Sequence, residues 1–188
     1  SRTQIETLLS GSSEQQKGLF SLLALTMAQQ SDKAGSLAYM KELAKRYNNL
    51  PEAQFALATA ASEAGDQKAV DLAFDRLAKI APEWDLPIAW QVEKLRHTQL
   101  DATITFLKRE LDRRPNADYE LQAAYPKLLV SAKRYEEARV AFVELLKRYP
   151  KQAELLYAAG LLSYQEKDLD AASSYLQAAL AANHPDSD

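Results

Sequence analysis

Cysteine is absent from the 188 residues, which excludes disulfides and thiol chemistry and leaves every redox compartment open. Histidine is nearly absent. His97 and His184 lie far apart with no paired ligand spacing, so no metal site is expected. Glycine numbers five, and none forms a phosphate-cradling loop. There is no G-x-S-x-G turn and no H-E-x-x-H pair, so no residue set supports an enzyme, and neither a catalytic residue nor a cofactor is assigned. Basic excess is missing too. Lys and Arg total 23 against 26 Asp and Glu, a net charge of −3, which is far from what a nucleic-acid surface needs. No apolar run approaches the roughly 20 residues of a membrane span, and no signal-peptide pattern is visible. The chain starts at Ser1 without an initiator Met, in the middle of a helical pattern, and reads as a piece of a longer protein.

What is present is helix-forming. Ala, Leu, Glu, Lys and Gln dominate a composition that is 47% hydrophobic and 26% charged. The segments "YEEARVAFVELLKRYP" (Tyr135–Pro150) and "AGSLAYMKELAKRYN" (Ala34–Asn48) share a "KRY" ending, and 149 − 47 = 102, three times 34. Steps of 34 from Asn48 reach Pro82, Asn116, Pro150 and His184, with Pro115 and Pro185 one residue away. Repeat starts then fall at Lys17, Pro51, Asp85, Tyr119 and Ala153. Small residues recur at the eighth and twentieth positions, where two helices must approach closely: Ala24, Ala58, Gly160, Ala138 and Ala172. Gly160 inside a helix costs about 1 kcal/mol relative to Ala, a cost that close packing explains.

A 34-residue helix–turn–helix unit with proline near its end resembles the tetratricopeptide repeat (TPR) family. The expected fold is all-α, a TPR solenoid wound as a right-handed superhelix. Residues 1–188 are expected to form one array: 1–16 as the tail of a preceding repeat, then repeats 17–50, 51–84, 85–118, 119–152 and 153–186. First helices are expected over Lys17–Gln30, Pro51–Glu63, Pro87–His97, Ala117–Ala132 and Gln152–Glu166. Second helices are expected over Lys33–Tyr47, Gln67–Ile80, Asp101–Arg113, Tyr135–Tyr149 and Leu169–Ala182. Ser1–Ser10 reads as one more helix, and Asn183–Asp188 as a polar stop. Repeat three fits worst, with Ile88, Trp90, Val92 and Leu95 on its first helix and Leu100, Ile104, Leu107 and Leu111 on its second. Pro126 falls at the eighth position of repeat four. It either kinks that helix or follows an irregular entry over Ala117–Tyr125. Glu136/Glu137 suit a helix start, and Lys45/Arg46, Arg113/Arg114 and Lys147/Arg148 suit helix ends.

The resemblance implies that first helices line a concave surface that holds a protein or peptide partner. The family's groove positions fall here on Phe55, on Glu93, Arg96 and His97, on Lys127, and on Tyr157, Leu161 and Tyr164. The bulk of Phe55 also suits the interior. Tyr157, Leu161 and Tyr164 make an i, i+4, i+7 stripe off the packing face, which is either a contact surface or the seat of another repeat. The Lys/Asn pair that clamps chaperone-tail carboxylates in this family has no counterpart. The equivalent pairs are Ser21/Leu25, Phe55/Thr59, Ala89/Glu93, Ala123/Lys127 and Tyr157/Leu161.

A finer likeness lies in "YPKLLVSAKRYEEARVAFVELLKRYP", followed by "AELLYAAGLLSYQEKDLDAASSYLQAAL" and "NHPD". This stretch is similar to bacterial envelope TPR lipoproteins of the type that act as adaptors for a periplasmic carboxy-terminal processing protease and its cell-wall hydrolase substrates. That resemblance implies a periplasm-facing scaffold, lipid-anchored at the outer membrane through an upstream segment. A peptide-sensing or regulatory domain of a larger cytoplasmic protein, and a structural subunit of pilus or outer-membrane machinery, are the alternatives.

Overall fold

The computed structural model describes residues 2–26, 29 and 31–183. The expected helix end at Gln30, the polar stop from His184 onward and the end of repeat five lie outside the described residues. Among the described residues there are eleven α-helices and no strands. They group into two compact units, residues 1–84 and 85–188, and the break falls on an expected repeat boundary.

In the first unit the helices are α1 (Arg2–Leu9), α2 (Ser13–Thr26), α3 (Lys33–Arg46), α4 (Pro51–Ala64) and α5 (Gln67–Ile80). α2 starts four residues earlier than Lys17. The Ser12 N–H donates to Gln15 Oε1 at 2.8 Å and the Gln15 N–H donates back to Ser12 Oγ at 3.4 Å. This reciprocal capping box fixes the start. α4 packs against α2, α3 and α5 and is nearly all interior. Its sequence accounts for that, because Ala53, Ala56, Ala58, Ala60 and Ala61 are all buried and let three neighbours approach. The buried Gln54 and Thr59 side chains are satisfied. Gln54 Nε2 donates to the Ala44 carbonyl at 2.9 Å, and Thr59 Oγ1 donates to the Phe55 carbonyl at 3.0 Å. Phe20, Met40, Leu43, Phe74 and Leu77 fill the centre.

The second unit holds α6 (Leu86–Leu95), α7 (Leu100–Arg113), α8 (Tyr119–Ser131), α9 (Tyr135–Arg148), α10 (Ala153–Gln165) and α11 (Leu169–Ala182). Each helix packs on the next, and α8 also touches α10. Ile88, Ile104, Leu107, Leu129, Phe142 and Leu155 are its largest buried side chains.

A backbone signature repeats at the 34-residue interval. Gly65, Lys133 and Lys167 adopt φ of 73°, 59° and 64°. After each, a 2.9 Å bond reaches back five residues: Asp66 to Ala61, Arg134 to Leu129, and Asp168 to Ser163. This is a Schellman turn that ends α4, and likewise the later first helices that finish at Ser131 and Gln165. Only Gly65 adopts the left-handed conformation without steric cost.

Two expectations change. α8 runs continuously from Tyr119 through Pro126, which is buried, so the irregular entry over Ala117–Tyr125 is not what forms. On α7, Leu100 and Leu111 are only half-buried, and the interior takes Thr103, Phe106 and Glu110 as well as Ile104 and Leu107. Glu110 is fully buried and paired with Arg109 Nε at 3.0 Å, Arg113 Nη1 at 3.2 Å and Arg114 Nη1 at 2.5 Å. Arg113 and Arg114 therefore do more than complement a helix end, since they neutralise a buried carboxylate.

Candidate functional site

α10 separates two faces. Leu155, Leu156, Ala159, Gly160, Leu162 and Ser163 are buried. Tyr157, Leu161 and Tyr164 are 53%, 45% and 64% exposed. At 100° per residue these three fall within about 60° of arc, so they form one strip on the side away from the packing face. Gly160 makes the burial of the other face possible. A Cβ built there would lie 2.8 Å from Leu176 Cγ and 2.9 Å from its Cδ2, so α10 and α11 approach at hydrogen-only distance.

Lys127 projects from α8 toward α10, and its Nζ meets Glu154 Oε1 at 2.5 Å. The pair is exposed and contributes up to about 1 kcal/mol. Its effect is to fix a polar boundary beside the aromatic strip. Tyr119, at the start of α8, stacks edge-on against Tyr149 with ring centroids 5.0 Å apart. Burial pushes its phenol above the ordinary tyrosine range, and the Glu154 and Glu120 carboxylates push in the same direction. Its Oη is buried with no hydrogen-bond partner.

Glu93, Arg96 and His97 come together at the end of α6. Arg96 Nη2 pairs with Glu93 Oε1 at 3.1 Å, and Arg96 Nε donates to His97 Nε2 at 3.1 Å. All three are exposed. Phe55 is placed differently. It is only 7% exposed and packs edge-on against Trp84 with centroids 5.7 Å apart, so its ring belongs to the interior of the first unit. Trp90 is half-buried, with Lys94 Nζ 5.2 Å over its ring. Of the eight residues expected on a binding face, then, seven are on the second unit, in three local groups. The reading of the sequence missed Glu154 and Tyr119. A carboxylate one helix pair downstream of Lys127 was the available signal for Glu154. Burial of Tyr119 had no sequence signal.

No family model matches the chain, and no curated protein matches it. Solved structures do. MamA from Desulfovibrio magneticus RS-1, residues 41 to the end, aligns with TM-score 0.55 and 16% identity over 92% of this chain and 97% of that one. A MamA double mutant of RS-1 gives TM-score 0.56, 17% identity and the same coverage. YrrB, described as a TPR protein with an unusual peptide-binding site, gives TM-score 0.55 and 16% identity over 98% of this chain and 92% of that one. The chain has the TPR fold. At these identities the likeness concerns the fold alone. Among the described residues no helix is long and apolar enough to cross a membrane, and no group of His, Cys, Asp or Glu has the geometry of a metal site.

Proposed function

We propose that this protein is a non-catalytic scaffold that holds a partner protein, and that Tyr157, Leu161 and Tyr164, flanked by Lys127 and Glu154, form the contact. The observation that carries the reading is the exposed strip on α10. Two tyrosines and a leucine stand in solvent on a helix whose opposite face is fully packed. Rigid aromatic side chains lose little conformational entropy on binding, and Tyr is enriched among residues that dominate interface energy. The peptide-binding site in YrrB's description supports a peptide or protein ligand, as does the absence of any catalytic motif in the sequence. The likeness of residues 125–186 to envelope TPR lipoproteins supports a more specific role: an adaptor in the bacterial periplasm that holds a processing protease, its substrate, or both.

The test uses the protein as bait in bacterial envelope extract, with the Tyr157→Ala/Tyr164→Ala double variant as control. A processing protease or cell-wall hydrolase retained by the wild type and lost from a fully helical variant is the expected result. Equal recovery by both proteins removes the strip from the site. A variant that loses its helical circular dichroism assigns both tyrosines to packing and overturns the proposal.

A further inference from the structure

α11 is unlike the other second helices. α3, α5, α7 and α9 each carry five or six charged residues, whereas α11 carries one, Asp170. A helix face turned to water is normally charged. Yet α11 packs chiefly on α10, and only its Ala172 and Ala179 are buried. Leu169 and Leu180 are 63% and 72% exposed, and Leu176 is half-buried. At 100° per residue these three leucines fall within about 40° of arc, in a line about 16 Å long turned roughly 70° from the alanine face. Asp170 lies about 100° from the middle of that line.

A matching surface lies on the first unit. A groove of about 550 Å³ between α1 and α2 is lined by Ile5, Leu8, Leu19, Leu22 and Leu23 with two threonines, and by no charged residue. Leu8 and Leu22 are 48% and 57% exposed. The Thr26 hydroxyl donates to the Leu22 and Leu23 carbonyls at 3.0 and 3.2 Å, so the groove wall asks for no polar partner there.

The repeat sets the shape that fills this groove. Leu19, Leu23 and Thr26 stand 4 × 34 = 136 residues before Leu155, Ala159 and Leu162, which are all buried. On α10 those three lie about 100–160° around the helix from Gly160, which meets α11. They rest instead on the preceding pair, α8 and α9. On the corresponding side α2 meets α1. A 34-residue shift carries Arg2–Leu9 onto residues 36–43 of α3, so α1 stands in a second helix's place. The place that α8 takes beside α10 is therefore open beside α2 among the described residues, and its shape is that of a helix. Burying the α11 leucine line there takes no charge out of water on either side.

We propose that α11 of one copy docks, through Leu169, Leu176 and Leu180, in the α1–α2 groove of a second copy of this chain. The contact joins two different surfaces, so it is heterologous and each copy offers one of each. It goes beyond the partner contact on α10 and does not use Tyr157 or Tyr164.

The test is sedimentation velocity from about 10 to 500 µM, a range suited to a contact of one helix in one groove. The proteins are wild type, Leu22→Lys, Leu180→Lys and Tyr157→Ala/Tyr164→Ala, each checked by circular dichroism. Leu22 and Leu180 are exposed, so the lysine variants should keep the monomer folded. Wild type and the tyrosine double variant should self-associate as concentration rises. Leu22→Lys and Leu180→Lys should each remain monomeric, with association at least tenfold weaker. An equimolar mixture of these two should recover a one-to-one pair, since the first keeps its α11 and the second its groove. A wild type that is monomeric throughout, a lysine variant that associates like wild type, a mixture that stays monomeric, or association lost with the tyrosines each overturns the proposal.

Discussion

Gly160 tests whether close helix approach, rather than composition, dictates the packing of the last helix pair. In an exposed helix, replacing glycine with alanine stabilises by about 1 kcal/mol. Here the added methyl would sit 2.8 Å from Leu176 Cγ, 2.9 Å from its Cδ2 and 3.3 Å from its backbone nitrogen. Cγ cannot swing aside as a chain end can, so α10 and α11 must separate or Leu176 must leave its rotamer. Overpacking of this kind costs about 1–3 kcal/mol. Set against the helix gain, Gly160→Ala should destabilise by up to about 2 kcal/mol. The decisive experiment is a double-mutant cycle by urea denaturation. With Leu176→Ala already in place the two nearest atoms are gone, and Gly160→Ala should then be neutral or stabilising, giving a coupling energy of about 1–2 kcal/mol. A glycine-to-alanine change that stabilises the wild type by the full helix-propensity amount, with no coupling to Leu176, would refute the packing argument.

Other outcomes follow from the same structure. Lys133 and Lys167 hold the left-handed conformation that Gly65 adopts freely, so Lys167→Gly should raise stability by about 0.5–1 kcal/mol, while Lys167→Ala should leave it unchanged in the same denaturation assay. Glu110→Ala leaves the buried Arg114 without its carboxylate and should cost about 3–5 kcal/mol, whereas replacing both with Leu and Met should cost far less. Asp66 accepts from Lys41 Nζ at 2.8 Å and from the Ala69 N–H at 3.0 Å, and these bonds, that to Lys41 foremost, hold its carboxyl below the ordinary value. A depressed folded-state pKa gives stability that is complete above the unfolded carboxylate value, about 3.9, and is lost as pH falls through the folded value. Asp66→Asn keeps a competent cap, so its melting deficit relative to wild type should be constant from pH 7 to 5 and should shrink below about pH 4.

The helices were legible because each pair repeats the same physical constraints at a 34-residue interval. Ala24, Ala58, Ala138, Gly160 and Ala172 are buried where the spacing calls for small residues, and the second helices start at Gln67, Tyr135 and Leu169 as periodicity requires. α7 was harder to read. An acid at position 110 reads as solvent-facing until three arginines are folded around it, and that pairing depends on side-chain reach rather than periodicity. The early start of α2 was written in Ser12 and Gln15, but the 34-residue grid pointed to Lys17. At the candidate site, the stripe on α10 follows from helical spacing alone. The burial of Phe55 depends on Trp84, which lies in a turn that the repeat does not specify.

The central claim is that the α10 strip holds a partner. The most direct measurement is a calorimetric titration of the partner recovered from envelope extract against wild type, Tyr157→Ala, Tyr164→Ala and the double variant, alongside thermal melts. If the strip is the contact, each substitution weakens binding by about 1–3 kcal/mol, roughly 5- to 150-fold, with the melting curve unchanged. Equal affinity across the four proteins, or a loss of binding that tracks a fall in melting temperature, contradicts the claim and makes the strip part of the packed structure.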